Sequence, residues 1–176
     1  MVIALVTTTL DGKIALSEDD QIKWHSDEDV RLFVEDTKMA GVVVMGSTTF
    51  KQIALRGRTL PKRKKVVLTR NPKEYREKYT EAKETEFTDD SPAMIVSRLT
   101  KAGHKDICVI GGGNIYTLFL NAQLIDEIRV TVSPYIFGSN AVSFISQVDN
   151  LPMKLSLVET TQLGDSFIRL RYRVAY

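Results

Sequence analysis

A chain of 176 residues, 43% hydrophobic and 26% charged, suits one domain with a substantial core and is short for two. A formal net charge of +2 gives no broad positive field for nucleic acid, and no apolar run approaches the length that crosses a bilayer, so neither partner is expected. The lone Cys108 rules out an internal disulfide, and His25 and His104 lie far apart without cysteine or carboxylate at ligand spacing, so no metal is expected.

The opening residues carry no basic lead-in or cleavage site and read as a first strand, Val2 to Thr9, which makes the cytoplasm the expected location. Asp11-Gly12 marks a turn before Lys13-Ile14-Ala15, and the polar stretch from Leu16 to Lys23 reads as a loop. Trp24, the only tryptophan, precedes Ser26-Asp27-Glu28-Asp29, where an N-cap hydroxyl and three carboxylates open a helix that Ala40-Gly41 closes.

Val42 to Met45 lacks alternation, as a strand covered on both faces does. Gly46-Ser47-Thr48-Thr49-Phe50 then turns strand into helix. After a basic turn from Arg56 to Lys65, Val66 to Thr69 is another buried strand, ending at Arg70-Asn71-Pro72. Lys73 to Phe87 reads as surface turn or short helix with a weak strand near its end, and Ser91-Pro92 caps a helix through Leu99.

The second glycine junction is the most telling. The β-branched run Ile107 to Ile110 halts at Gly111-Gly112-Gly113, and Ile115, Leu118 and Phe119 follow at helical spacing. Glycines there admit positive φ and close approach, and a new helix directs unpaired N–H groups at the same spot, which suits a phosphate-bearing cofactor. Ile128 to Val132 is a strand, and Leu155 to Gln162 with Phe167 to Ala175 form a hairpin. The expected fold is α/β: three layers around a mostly parallel sheet, with an antiparallel C-terminal hairpin at one edge.

In such sheets ligands lie beyond the carboxyl ends of the strands, where both glycine junctions and Leu68-Thr69-Arg70 fall. Asp29 shares a helical stripe with Leu32 and Phe33, so burial would raise its pKa and let it hold a proton. The same Ser26-x-x-Asp29 spacing is a capping box, and spacing alone favours that role. Arg63, in the basic run Leu60 to Lys65, reads alone as part of a solvated turn, and Thr131 and Tyr116 read alone as core residues with satisfied hydroxyls.

Taken together these residues resemble the dihydrofolate reductase family. The likeness lies in the order of Asp11-Gly12-Lys13-Ile14, Trp24 with Asp29 and Phe33, Met45-Gly46-Ser47-Thr48-Thr49-Phe50, Arg58-Thr59-Leu60-Pro61-Lys62-Arg63, Ile110-Gly111-Gly112-Gly113-x-x-Tyr116 and Ile128-Arg129-Val130-Thr131. The resemblance implies reduction of 7,8-dihydrofolate by NADPH, with hydride to C6 and a proton to N5. It makes Asp29, Trp24 and Thr131 the catalytic set. Val6, Phe33, Ile53 and Leu60 would contact substrate, and Arg63 its glutamate carboxylate. Thr7, Ile14 and Ala15 would face the nicotinamide. Gly46, Ser47, Thr48, Thr49, Leu68, Thr69, Arg70, Ile110, Gly111, Gly112, Gly113, Asn114, Ile115 and Tyr116 would hold the rest of the cofactor.

Two departures stand out. Ser47 replaces the family's usual arginine for the 2′-phosphate, a charge Arg70 could restore, and His25-Ser26-Asp27-Glu28 replaces the usual Leu-Pro. That segment, with Leu10-x-x-Lys13-Ile14-Ala15, is also similar to the riboflavin-pathway reductases that act on a ribosylamino-pyrimidine. The alternatives are therefore that reductase and a non-catalytic nucleotide-binding protein, with monomer or homodimer left open.

Overall fold

Val2–Thr9, β-branched and almost wholly buried, is strand β1, and the main sheet is laid out on both sides of it. The computed structural model describes all residues except 18–19, 21–23, 56, 58 and 150, so Arg58 and much of the Leu16 to Lys23 loop lie outside the described residues. Along the chain follow β2 (Lys13–Ala15), α1 (Asp27–Ala40), β3 (Val42–Gly46), α2 (Ser47–Leu55), β4 (Lys64–Leu68), α3 (Pro72–Lys78), β5 (Thr85–Thr88), α4 (Pro92–Lys101) and β6 (Ile107–Val109). Then come α5 (Gly113–Asn121), β7 (Glu127–Ser133), β8 (Val142–Ser143), β9 (Lys154–Leu163) and β10 (Phe167–Ala175).

The described residues form a sheet in the order β5-β4-β3-β6-β1-β7-β10-β9. Every pair from β5 to β7 is parallel, and β10 and β9 are antiparallel, as the C-terminal alternation predicts. Alternate residues divide the core into two layers. Val42, Val44 and Val66 pack with Ile95 and Leu99 of α4 and Ile115 and Phe119 of α5. Val43, Met45 and Val67 pack on the opposite face with Ala40, Phe50 and Tyr75 of α1, α2 and α3. The unalternated valines of β3 thus serve both faces, each fully buried one contributing about 1.5–3 kcal/mol.

Local signals act as their chemistry requires. Ser26 Oγ accepts from Asp29 N at 3.1 Å to open α1, and Gly41, at φ 69°, closes it with its N–H on Thr37 O. β8 was not foreseen, because two residues carry no periodicity. It pairs with β2 and brings Ser143 against the start of α5. No helix of the described residues is long and apolar enough to cross a membrane.

Candidate active site

The carboxyl ends of β1, β3, β4 and β6, the inner face of α1 and the start of α5 enclose a cavity of about 940 Å³. Its position follows from the topology, since β6 leads into α5 on one face of the sheet while its neighbours β1 and β3 lead into α1 and α2 on the other.

Asp29 stands on the α1 wall, 5% exposed. Its backbone N–H satisfies the Ser26 cap, while its carboxylate accepts the Thr7 hydroxyl at 2.6 Å and lies 2.9 Å from His25 Nδ1. Only the serine half of the capping box is therefore used, and the acid is turned into the cavity. Burial pushes the Asp29 carboxyl up, but hydrogen bonds from His25, Thr131 and Thr7 outweigh it, and the net shift is downward. The expectation of a raised pKa is corrected: the stripe spacing anticipated the burial and missed the donors. Thr7 and Thr131 are register partners on β1 and β7, which sets both hydroxyls beneath one carboxylate.

The opposite wall is built from the two glycine junctions. Gly46 donates its N–H to Gly111 O at 2.8 Å, joining them directly. A Cβ on Gly46 would fall 2.9 Å from Ile115 Cγ1, and one on Gly113 would fall 2.4 Å from Ser143 O, so both positions need glycine for space. Gly111, at φ 122°, needs it for conformation, and the Gly111–Gly112 peptide is cis. Gly112, the N-cap of α5, supplies no side-chain acceptor, leaving first-turn N–H groups of that helix without a side-chain partner. Donors at a glycine-lined bend fit the pyrophosphate of a dinucleotide.

Most residues anticipated for the site line this one cavity. Val6, Thr7, Ile14 and Ala15 line it from β1 and β2, and Asp29, Phe33 and Thr131 from α1 and β7. Gly46, Ser47, Thr48, Thr49, Leu68, Thr69 and Arg70 line it from the β3 and β4 ends. Ile110, Gly111, Gly112, Gly113, Asn114, Ile115 and Tyr116 complete the far side. Tyr116 is buried, its hydroxyl donating to Leu5 O at 2.5 Å, so part of its role is to tie α5 to β1.

Four anticipated residues are placed elsewhere. Ile53 and Leu60 pack with Phe33 in the core between α1, α2 and the sheet, outside the cavity lining. Arg63 is 2% exposed and runs beneath α1, with Nη2 donating to Val34 O at 3.1 Å. A backbone carbonyl inside the fold takes one nitrogen of this guanidinium, and its buried Nε has no hydrogen-bond partner among the described residues. Trp24 is buried behind the site, 4.8 Å from the His25 ring and edge-on to Phe137, and its Nε1 has no hydrogen-bond partner among the described residues.

The sequence reading missed several lining residues. His25 carried one usable signal, its i,i+4 spacing to Asp29. Asp36, Arg129 and Arg169 also line the cavity. Asp36 lies one further turn along the Asp29–Phe33 stripe, and the two arginines belong to strands whose pairing no local pattern reveals. Asp89, Asp90 and Ser91 line it near Arg70. Among the described residues no group of His, Cys, Asp and Glu could hold a metal ion.

The fold is that of dihydrofolate reductase, and among proteins of that fold the chain belongs to a particular branch. It is a member of the RibD C-terminal domain family, whose model matches residues 1–168. A putative riboflavin biosynthesis protein from Shewanella sp. PV-4 superposes with a TM-score of 0.77 at 21% identity, covering 99% of both chains. Dihydrofolate reductase from Enterococcus faecalis, solved with NADP(H), superposes with a TM-score of 0.73 at 20% identity, covering 99% of this chain and 96% of that one. In sequence, the type 3 dihydrofolate reductase of Salmonella typhimurium is 30% identical over 116 residues, 66% of this chain and 63% of that enzyme.

Proposed function

We propose that the protein is an NADPH-dependent reductase of 7,8-dihydrofolate. The observation that carries this reading is the Asp29 carboxylate, buried, ionised and braced by Thr7, Thr131 and His25 in the cavity that the glycine bends close. A fixed carboxylate in a low-dielectric pocket is the acceptor for the 2-amino group and adjacent ring N–H of a pterin, and it favours protonation of the bound ring.

The cofactor, when bound, supplies the hydride for C6. Thr7, Ile14 and Ala15 would border the nicotinamide, the junctions at Gly46 and at Gly111 to Gly113 would receive the pyrophosphate, and Thr69 and Arg70 would meet the adenosine end. The walls exclude water and align the two rings, which is the protein's share of the catalysis.

A second reading, reduction of a ribosylamino-pyrimidine phosphate, is favoured by the family model and by Arg63, which is buried under α1 and so is not presented to the carboxylate of a benzoylglutamate tail. The Asp29 site suits the pterin more fully, because the 2-amino group and adjacent ring N–H of a pterin can meet both carboxylate oxygens at once, whereas a uracil brings its ring N–H groups without a 2-amino neighbour. The same site argues against a non-catalytic nucleotide binder, which has no use for a buried acid beside the cofactor groove. The test is NADPH consumption by the purified protein with each substrate in turn. Consumption with dihydrofolate is expected, and consumption with the pyrimidine alone would transfer the assignment.

A further inference from the structure

Arg63 leaves open which residues meet an anionic substituent on the substrate. Both candidate substrates carry one, a carboxylate on folate or a phosphate on the ribosylamino-pyrimidine. The basic side chains lining the cavity among the described residues are His25, Arg70, Arg129 and Arg169. His25 is committed to Asp29, and Arg70 sits at the β4 end with Thr69, Asp89 and Asp90. The other two stand on the substrate side.

Arg169 on β10 is the register partner of Thr131 on β7, which is in turn the partner of Thr7 on β1. These three residues form one row across neighbouring strands, so Arg169 stands about 4.8 Å beyond the threonine that braces Asp29. Above the row, Asp36 is seven residues along α1 from Asp29, a rise of about 10 Å. Asp36 accepts from Arg129 Nη1 at 2.6 Å and from Arg169 Nη2, so one carboxylate holds both guanidiniums against the cavity wall. Buried Glu127 engages Arg129 Nε at 2.6 Å and fixes that fork from below.

A guanidinium offers five N–H donors, and Asp36 takes one nitrogen of each. Two forks in fixed orientation, with side chains only 15% and 10% exposed, form a pre-set receptor for a second planar or tetrahedral anion. We propose that Arg169 and Arg129, held by Asp36, are the subsite that binds the anionic substituent of the substrate. This rests on the reading of the cavity as a hydride-transfer site. Asp36 keeps the forks aligned in the free protein, and the incoming anion shares them.

The experiment compares wild type, Arg169→Gln and Arg169→Lys on two substrate pairs: dihydrofolate against a dihydropterin with no charged tail, and the ribosylamino-pyrimidine phosphate against its dephosphorylated form. For whichever pair the wild type reduces, Arg169→Gln is expected to raise KM for the charged member about tenfold or more beyond its effect on the uncharged one. Arg169→Lys should recover part of that difference. Equal shifts for both members, or none, would overturn the proposal. Turnover of the pyrimidine pair alone would overturn the pterin reading while the KM ratio still decides this one, and turnover of neither pair would overturn both. Should Arg169→Gln not fold, inorganic phosphate decides with the wild type. Competitive inhibition confined to the charged member supports the subsite, and inhibition of both alike or of neither removes it.

Discussion

The imidazole of His25 donates from Nδ1 to Asp29 Oδ2 across 2.9 Å, and the oxygen that receives it also accepts the Thr7 hydroxyl. This pair decides the charge of the site. Burial pushes the Asp29 carboxyl up; the donors outweigh it and hold its pKa below the usual range. His25→Gln is therefore expected to move the Asp29 carboxyl titration to higher pH, as read by carbon NMR of labelled aspartate. An unmoved titration would assign the effect to Thr7 and Thr131.

Asp29→Asn removes the anion and keeps the shape. Hydride transfer to dihydrofolate at neutral pH should fall by about 100-fold or more, with NADPH affinity within about twofold of wild type. Single-turnover kinetics with a parallel cofactor titration would show this. An equal loss in both would mean that the substitution had damaged the fold.

The direction of the carboxylate shifts also fixes how stability responds to acid. Glu86 resembles Asp29: burial raises its pKa, and hydrogen bonds from Arg98 and Lys64 outweigh that rise and lower it. Glu127 follows the same pattern through Arg129 and Arg171. A carboxyl with a depressed folded-state pKa contributes stability that is complete above its unfolded value, about 4, and is lost as pH falls through the folded value. The melting temperature should therefore hold from neutral pH to about pH 5 and drop below about pH 4. A melting temperature that stayed level through pH 3 would contradict these assignments.

The glycine wall gives a graded pair of variants. In Gly113→Ala the new methyl meets Ser143 O, a backbone atom, at 2.4 Å, whereas in Gly46→Ala it meets the Ile115 side chain at 2.9 Å. A side chain can turn aside and a strand cannot. Gly113→Ala should cost about 2–4 kcal/mol and Gly46→Ala visibly less. Urea unfolding midpoints would order them, and the reverse order would place the tight contact wrongly.

At the nucleotide end, Ser47 and Arg70 share the lining where a 2′-phosphate would be read. With serine in the first position, discrimination should rest on Arg70. Arg70→Ala is expected to weaken NADPH by about tenfold relative to NADH, measured by fluorescence titration. An unchanged ratio would assign the phosphate to another group.

Much of this architecture was legible in the chain, for reasons that differ from element to element. The valines of β3 announced a strand buried on both faces, Ser26 and Gly41 marked the ends of α1, and the alternation of β9 and β10 gave the hairpin and its edge position. The glycine junctions pointed to the cavity because space and positive φ leave a mark in residue type. Direction was harder to read. Asp29 meets a capping pattern with its backbone and turns its side chain to Thr7 and the cavity. Arg63 lies in a basic run that reads as a solvated turn, yet its guanidinium donates to Val34 O inside the fold. Asp36, Arg129 and Arg169 meet only through α1, β7 and β10 together, a juxtaposition made by tertiary pairing with no short-range trace.

The proposed reaction depends on a ring gripped by Asp29 receiving hydride from a nicotinamide held over the glycine bends. The most direct measurement is single turnover with NADPH deuterated at the transferable position, followed by NMR of the product. Deuterium at C6 of tetrahydrofolate is the predicted result. Deuterium that fails to reach the pterin, and appears instead in the sugar-derived chain of a pyrimidine product, would contradict it.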